Sequence, residues 1–117
     1  MDGGNNMVKY YKTTGIYGNS NYLRLEVRYK KDYGGYVAQI DPCSKADSHY
    51  GITYGPEYYQ YYGTLIQPLV RCGRRSQKQE EIACAMCNKI IDELLAKYVE
   101  IAETKGGRHI EIIGEEE

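Results

Sequence analysis

Phenylalanine and tryptophan are absent from the 117 residues, and proline occurs only three times. Tyrosine, with 14 copies, supplies every aromatic ring, so each ring carries a hydroxyl. No run reaches the ~18 uncharged apolar residues that a membrane span needs. The start, MDGGNNMVKYYK, lacks the apolar stretch of a secretory signal, which points to the cytoplasm and away from membranes. Neither sign of charge dominates: 15 basic and 16 acidic residues leave a net charge of −1, which excludes a histone-like polycation. No Walker pattern, RNP1-like stretch or paired C-x-x-C motif occurs. The expectation is a protein that is not an enzyme and carries no cofactor.

Hydrophobic residues make up 42% and charged residues 26% of the chain, as in ordinary globular proteins. The length suits one domain. Fourteen tyrosines exceed what the core of so small a domain needs, since a buried hydroxyl must find a partner. Tyrosine packs well in strands, but the set as a whole suggests a recognition surface. The charge is also uneven along the chain. Residues 1–78 hold 11 basic and 6 acidic side chains together with 13 of the 14 tyrosines, whereas residues 79–117 hold 4 basic and 10 acidic ones. Such asymmetry marks either an anionic partner for the basic part or attraction between the two parts.

Residues 1–6 read as a disordered leader, 7–113 as a single α+β domain and 114–117 as an acidic tail. MVKYYK at 7–12 suits a first strand, followed by the turn-rich TTGIYGNSN. Residues 22–31 alternate Leu23, Leu25, Val27 and Tyr29 with polar residues, the period of a half-buried strand. Asp32–Gly35 suits a hairpin turn, and Tyr36–Asp41 a return strand stopped by Pro42. Residues 43–50 read as a loop, 50–54 as a strand and GPE at 55–57 as a turn. Residues 58–72 read as one long strand or two in line. Gly63 and Pro68 inside that stretch place it at an edge, or bend or bulge it.

The helix is spelled out most fully. Ser76 stands as N-cap with Gln79 at capping-box spacing, and Gly106 and Gly107 follow as C-cap. Apolar residues recur at helical spacing from Ile82 to Ala102, and a final strand is expected at 109–113 with Ile110 and Ile112 on one side. The architecture implied is an antiparallel sheet of about four to five strands packed on one long C-terminal helix, with a short final strand. Met86, Ile90, Leu94 and Ile101 broaden the apolar band, and a homodimer through the helix would hide the excess.

Four cysteines (Cys43, Cys72, Cys84, Cys87) and two histidines (His49, His109) could in principle hold zinc. Cys84 and Cys87 lie inside a helix, however, where Cys acts as a small hydrophobe. No metal site is assigned. A Cys43–His49 pair beside Asp47 has nothing nearby to orient it for catalysis.

Two basic constellations remain. Tyr22, Arg24, Arg28 and Lys30 share the polar face of the long strand, a pattern in which bases stack on rings while cations follow phosphates. The same charges also serve simply to protect an exposed strand. Arg71, Arg74, Arg75 and Lys78 surround the start of the helix, where guanidinium forks and backbone N–H groups favour anions. Both point to a module that binds an anionic partner, most simply nucleic acid. The alternative is a small protein-interaction module or inhibitor, for example a phage or mobile-element protein that blocks a host nuclease such as a CRISPR effector. Its partner would be a nucleic-acid-binding protein, and Tyr58, Tyr59, Tyr61 and Tyr62 its contact surface.

Overall fold

The computed structural model describes residues 7–14, 22–46, 49–53, 64–107 and 109–116. Five strands precede one helix and a sixth follows: β1 (Val8–Thr14), β2 (Tyr22–Lys30), β3 (Gly35–Ala46), β4 (His49–Thr53), β5 (Leu65–Arg71), α1 (Gln77–Gly106) and β6 (Glu111–Glu116). They form one sheet in which every described pairing is antiparallel, ordered β4-β3-β2-β1-β6, with β5 also on β3. This is the α+β arrangement expected. The leader at 1–6, the connection at 15–21, Asp47, the turn at 55–57, Gly63 and the tyrosines at 58, 59, 61 and 62 lie outside the described residues.

β2 shows why the sheet folds around one face. Leu23, Leu25 and Val27 are fully buried and stand opposite Pro42, Ile40 and Ala38 of β3. The turn between the two strands is a short 3-10 segment, Lys31–Tyr33, closed by Gly34 at φ 73°. That left-handed conformation suits glycine because it has no Cβ to clash.

Pro42 does not stop β3, which runs on to Ala46, so most of the expected loop at 43–50 is strand. The reason is positional. On its outer side β3 pairs with β5 from Gly35 to Ile40 and with β4 from Cys43 onward, and Pro42 falls between the two partners. A missing donor there interrupts neither ladder. Pro68 sits in β5, an edge strand, beside a bulge: Val70 pairs with Tyr36 and Pro68 with Val37, leaving Leu69 as the extra residue.

The C-terminal end also departs from the expected tail. Gly114, Glu115 and Glu116 pair with Lys12, Tyr11 and Tyr10, and the Lys9 ammonium meets the Glu115 carboxylate at 3.2 Å. Part of the charge asymmetry of the chain is thus used inside the fold.

Ser76 caps α1 by accepting the Gln79 N–H, and Gly107, at φ 63°, donates to the Glu103 carbonyl. Thirty residues would run about 45 Å if straight, more than the longest dimension of the molecule, 38 Å. The helix instead bends at Ile90, whose φ and ψ are −119° and 16°. Ala83 and Cys87 are buried before the bend, and Leu94, Leu95, Tyr98 and Ala102 after it. Ile90 and Ile101 pack against the core as well, so the broad apolar band is largely absorbed within one chain; Ile82 and Met86 stay exposed. No helix among the described residues is long and apolar enough to cross a membrane.

Candidate anion site at the strand–helix junction

Register places Tyr22, Arg24, Glu26, Arg28 and Lys30 on the sheet face turned away from α1. They share it with Val37, Gln39, Asp41 and Cys43. The face does not offer rings and cations along its whole length. Tyr22 is only 4% exposed, and Val37 and Cys43 are fully buried, so the Tyr22 ring presents no stacking surface. Arg24 is already engaged. Its Nη1 meets Glu26 Oε1 at 2.6 Å, and its Nε donates to the Tyr10 hydroxyl at 3.3 Å. Burial works against the Arg24 charge, but these bonds more than offset it. Opposite Arg24 stands Asp41, which accepts from Gln39 Nε2 and Thr64 Oγ1, each at 2.9 Å. Burial pushes the Asp41 carboxyl above its ordinary range; the two hydrogen bonds and the charges of Arg24 and Arg28 only partly counter this. At this end the face is a neutralised network.

The other end differs. Lys30, Gly35 and Arg71 form one row across β2, β3 and β5. Adjacent strands lie about 4.8 Å apart, so Lys30 and Arg71 project side by side at about 10 Å, with only a glycine between them. Gly35 has no room for a side chain, since a Cβ there would come within 2.0 Å of the Val70 carbonyl oxygen. The hairpin tip is tied to the chain leaving β5 by the Cys72 N–H, which donates to the Gly34 carbonyl at 2.9 Å. Tyr36 secures the start of the helix. Its hydroxyl accepts the Ser76 N–H at 3.0 Å and donates to the Ser76 carbonyl at 3.2 Å.

These ties set Lys30 and Lys31 of the hairpin beside Arg71 at one end of the sheet, with Arg74, Arg75 and Lys78 following in the chain that leads into α1. None of the six forms a salt bridge among the described residues, and all but the half-buried Lys30 are exposed. Asp32, Glu80 and Glu81 are the acids nearest in sequence. The Arg75 guanidinium lies 5.4 Å from the Tyr29 ring centroid, and the Lys30 ammonium 5.9 Å from that of Tyr33. Both are cation–π distances. Tyr29 meets Tyr36 edge to face at 5.4 Å. The rings thus hold two of the cations in place without neutralising them.

Of the residues singled out in the sequence, the register sets Lys30 beside Arg71, with Arg28 in the next row of the same face, opposite Val37, while Arg75 lies over Tyr29, which packs against the core. Lys31 was not singled out by sequence reasoning. Its signal was the Lys30–Lys31 pair beside a hairpin turn, which gains meaning only from the β3–β5 register. Cys87 is fully buried in the core cluster, and burial pushes its thiol up to about 11. Among the described residues no group of three or more His, Cys, Asp or Glu side chains is placed to hold a metal. The chain matches no protein-family model, no curated protein and no solved structure.

Proposed function

We propose that the protein is a non-enzymatic binding module for an anionic partner, most simply nucleic acid, engaged at the strand–helix junction. One observation carries the reading: at this end of the sheet the hairpin and the strand–helix junction carry six cations, two of them over tyrosine rings, and none forms a salt bridge among the described residues. Phosphate binding by such a cluster releases counterions, so affinity falls as salt rises, by about 0.7 logarithmic unit per logarithmic unit of salt for each single-strand phosphate contacted. Fluorescence anisotropy of a labelled single strand, titrated at several salt concentrations, tests it. Arg71→Gln, Arg74→Gln and Arg75→Gln together should weaken binding and flatten the salt slope by about 2, while Lys105→Gln should change neither. Absence of binding at low salt, or binding indifferent to salt, would remove the proposal.

A second reading, a protein-interaction module, draws support from Ile82 and Met86, which are 42% and 40% exposed one turn apart on α1. A homodimer through this face would be split by Met86→Glu in sedimentation equilibrium. A wild-type chain that stays monomeric would end that version.

A further inference from the structure

We infer that the anion taken at this junction is an unpaired nucleotide, recognised as one phosphate together with one base. The inference rests on the reading above and narrows it. Two hollows flank Arg71 and share it as a wall. The first, of about 460 Å³, is also lined by Tyr29, Lys31, Gly34, Cys72 and Gly73. The second, of about 430 Å³, is also lined by Tyr33, Tyr36, Pro68, Leu69 and Val70. Both volumes fall within the ~300–1,000 Å³ typical of small-ligand sites.

Their chemistries are complementary. In the first hollow Lys31 offers a point charge and Arg71 a bidentate fork, the pair of donors that suits a phosphate. A Cβ at Gly34 or Gly73 would meet nothing within 4 Å, so an anion can approach the backbone there. The second hollow is ring and hydrocarbon. Tyr33, 45% exposed at the hairpin tip and approached by the Lys30 ammonium, supplies an aromatic surface beside Pro68 and Leu69. A flat base fits such a surface, because every base has a π face. An acidic peptide would fill this hollow only where an apolar side chain flanks its carboxylates, whereas a nucleotide carries phosphate and ring in every unit. A duplex would leave the hollow empty, since its bases are stacked and paired within the helix. Arg71, common to both hollows, sets phosphate and base side by side.

The test uses the full chain and a labelled single-stranded 12-mer, displaced by four competitors: unlabelled strand, duplex of the same sequence, an abasic strand with equal phosphates, and adenosine monophosphate. The unlabelled strand should compete at least about tenfold better than the duplex or the abasic strand. Tyr33→Ala should weaken the base-bearing strand about fivefold or more, as expected for one lost stacking contact, and the abasic strand, which loses only the ring's hold on Lys30, by less than about twofold. Tyr33→Leu, which keeps bulk without a π face, should repeat the pattern if the alanine variant folds poorly. Arg71→Gln should weaken both strands. Competition by the mononucleotide at the strand's own concentration per nucleotide would make free nucleotides the occupant; its failure to compete would assign the site to strands. Equal competition by strand, duplex and abasic strand would overturn the inference and leave anion binding standing, as would an equal Tyr33 effect on the two strands or no effect on either. No binding to any of these probes would overturn both.

Discussion

The hydroxyl of Tyr36 joins the sheet to the first residue of the helix cap, and its removal gives the sharpest test of how the junction is held. Tyr36→Phe keeps the ring, its edge-to-face contact with Tyr29 and its burial; only the oxygen is lost. The Ser76 carbonyl would still accept the Glu80 N–H at 2.9 Å. The Ser76 N–H would not be compensated, because it has no other partner among the described residues. An orphaned, part-buried donor costs about 1–2 kcal/mol. For a chain of this length that corresponds to a melting temperature lower by roughly 4–8 °C. In urea the midpoint should fall by roughly 0.5–1 M with an unchanged slope. The matched control is Tyr29→Phe. The Tyr29 hydroxyl has no hydrogen-bond partner among the described residues, so that change should stay within about 0.5 kcal/mol of wild type. Hydrogen exchange should speed at the Ser76–Gln79 amides in Tyr36→Phe only, and affinity for a single strand should drop with it. Equal stability of Tyr36→Phe and wild type, or an equal loss in Tyr29→Phe, would refute the proposed anchoring.

Gly35→Ala places a Cβ against a backbone oxygen that cannot swing aside; a loss of about 3 kcal/mol, near the upper end for overpacking, should appear as an early thermal transition in calorimetry. Asp41→Asn should raise stability near neutral pH. The folded-state pKa of Asp41 is elevated, so the native form holds the proton more tightly and stability declines as pH climbs through that window. The asparagine should flatten the decline in urea melts run across pH, and Gln39, whose buried Oε1 has no partner among the described residues, can turn to accept from the new amide. Cys87, with its thiol near pKa 11 and its side chain fully buried, should resist a thiol reagent at pH 8 in the native protein and react only on unfolding, whereas Cys72, in the wall of a hollow, should react first.

Local chemistry was readable wherever one element fixed it alone. The alternation of Leu23, Leu25 and Val27 announced a strand with one dry face, and Ser76 with Gln79 announced a helix start. Pro42 misled because its missing donor matters only if a neighbour waits for it, and the gap between β5 and β4 is a tertiary fact. Tyr22 misled because alternation assigns a residue to a face and says nothing of how deep that face lies at each end. Arg24 could have been discounted, since Glu26 two places on must share its side of a strand. The gathering of Lys30 and Lys31 with Arg71 needed a pairing between segments some forty residues apart, which no local pattern encodes.

The pairing of β1 with β6 sets a timetable for folding. Lys9 and Glu115, joined across that seam, are separated by 106 positions. Contacts so distant along the chain slow the search for the native topology, which favours formation in milliseconds to seconds over microseconds. During translation at roughly 5–20 residues per second, the outer rim of β1 stays unsatisfied for about 5–20 s before its mate is made. Until then β1 is an edge open to a neighbour's strand, a position that β6 takes over once it is made.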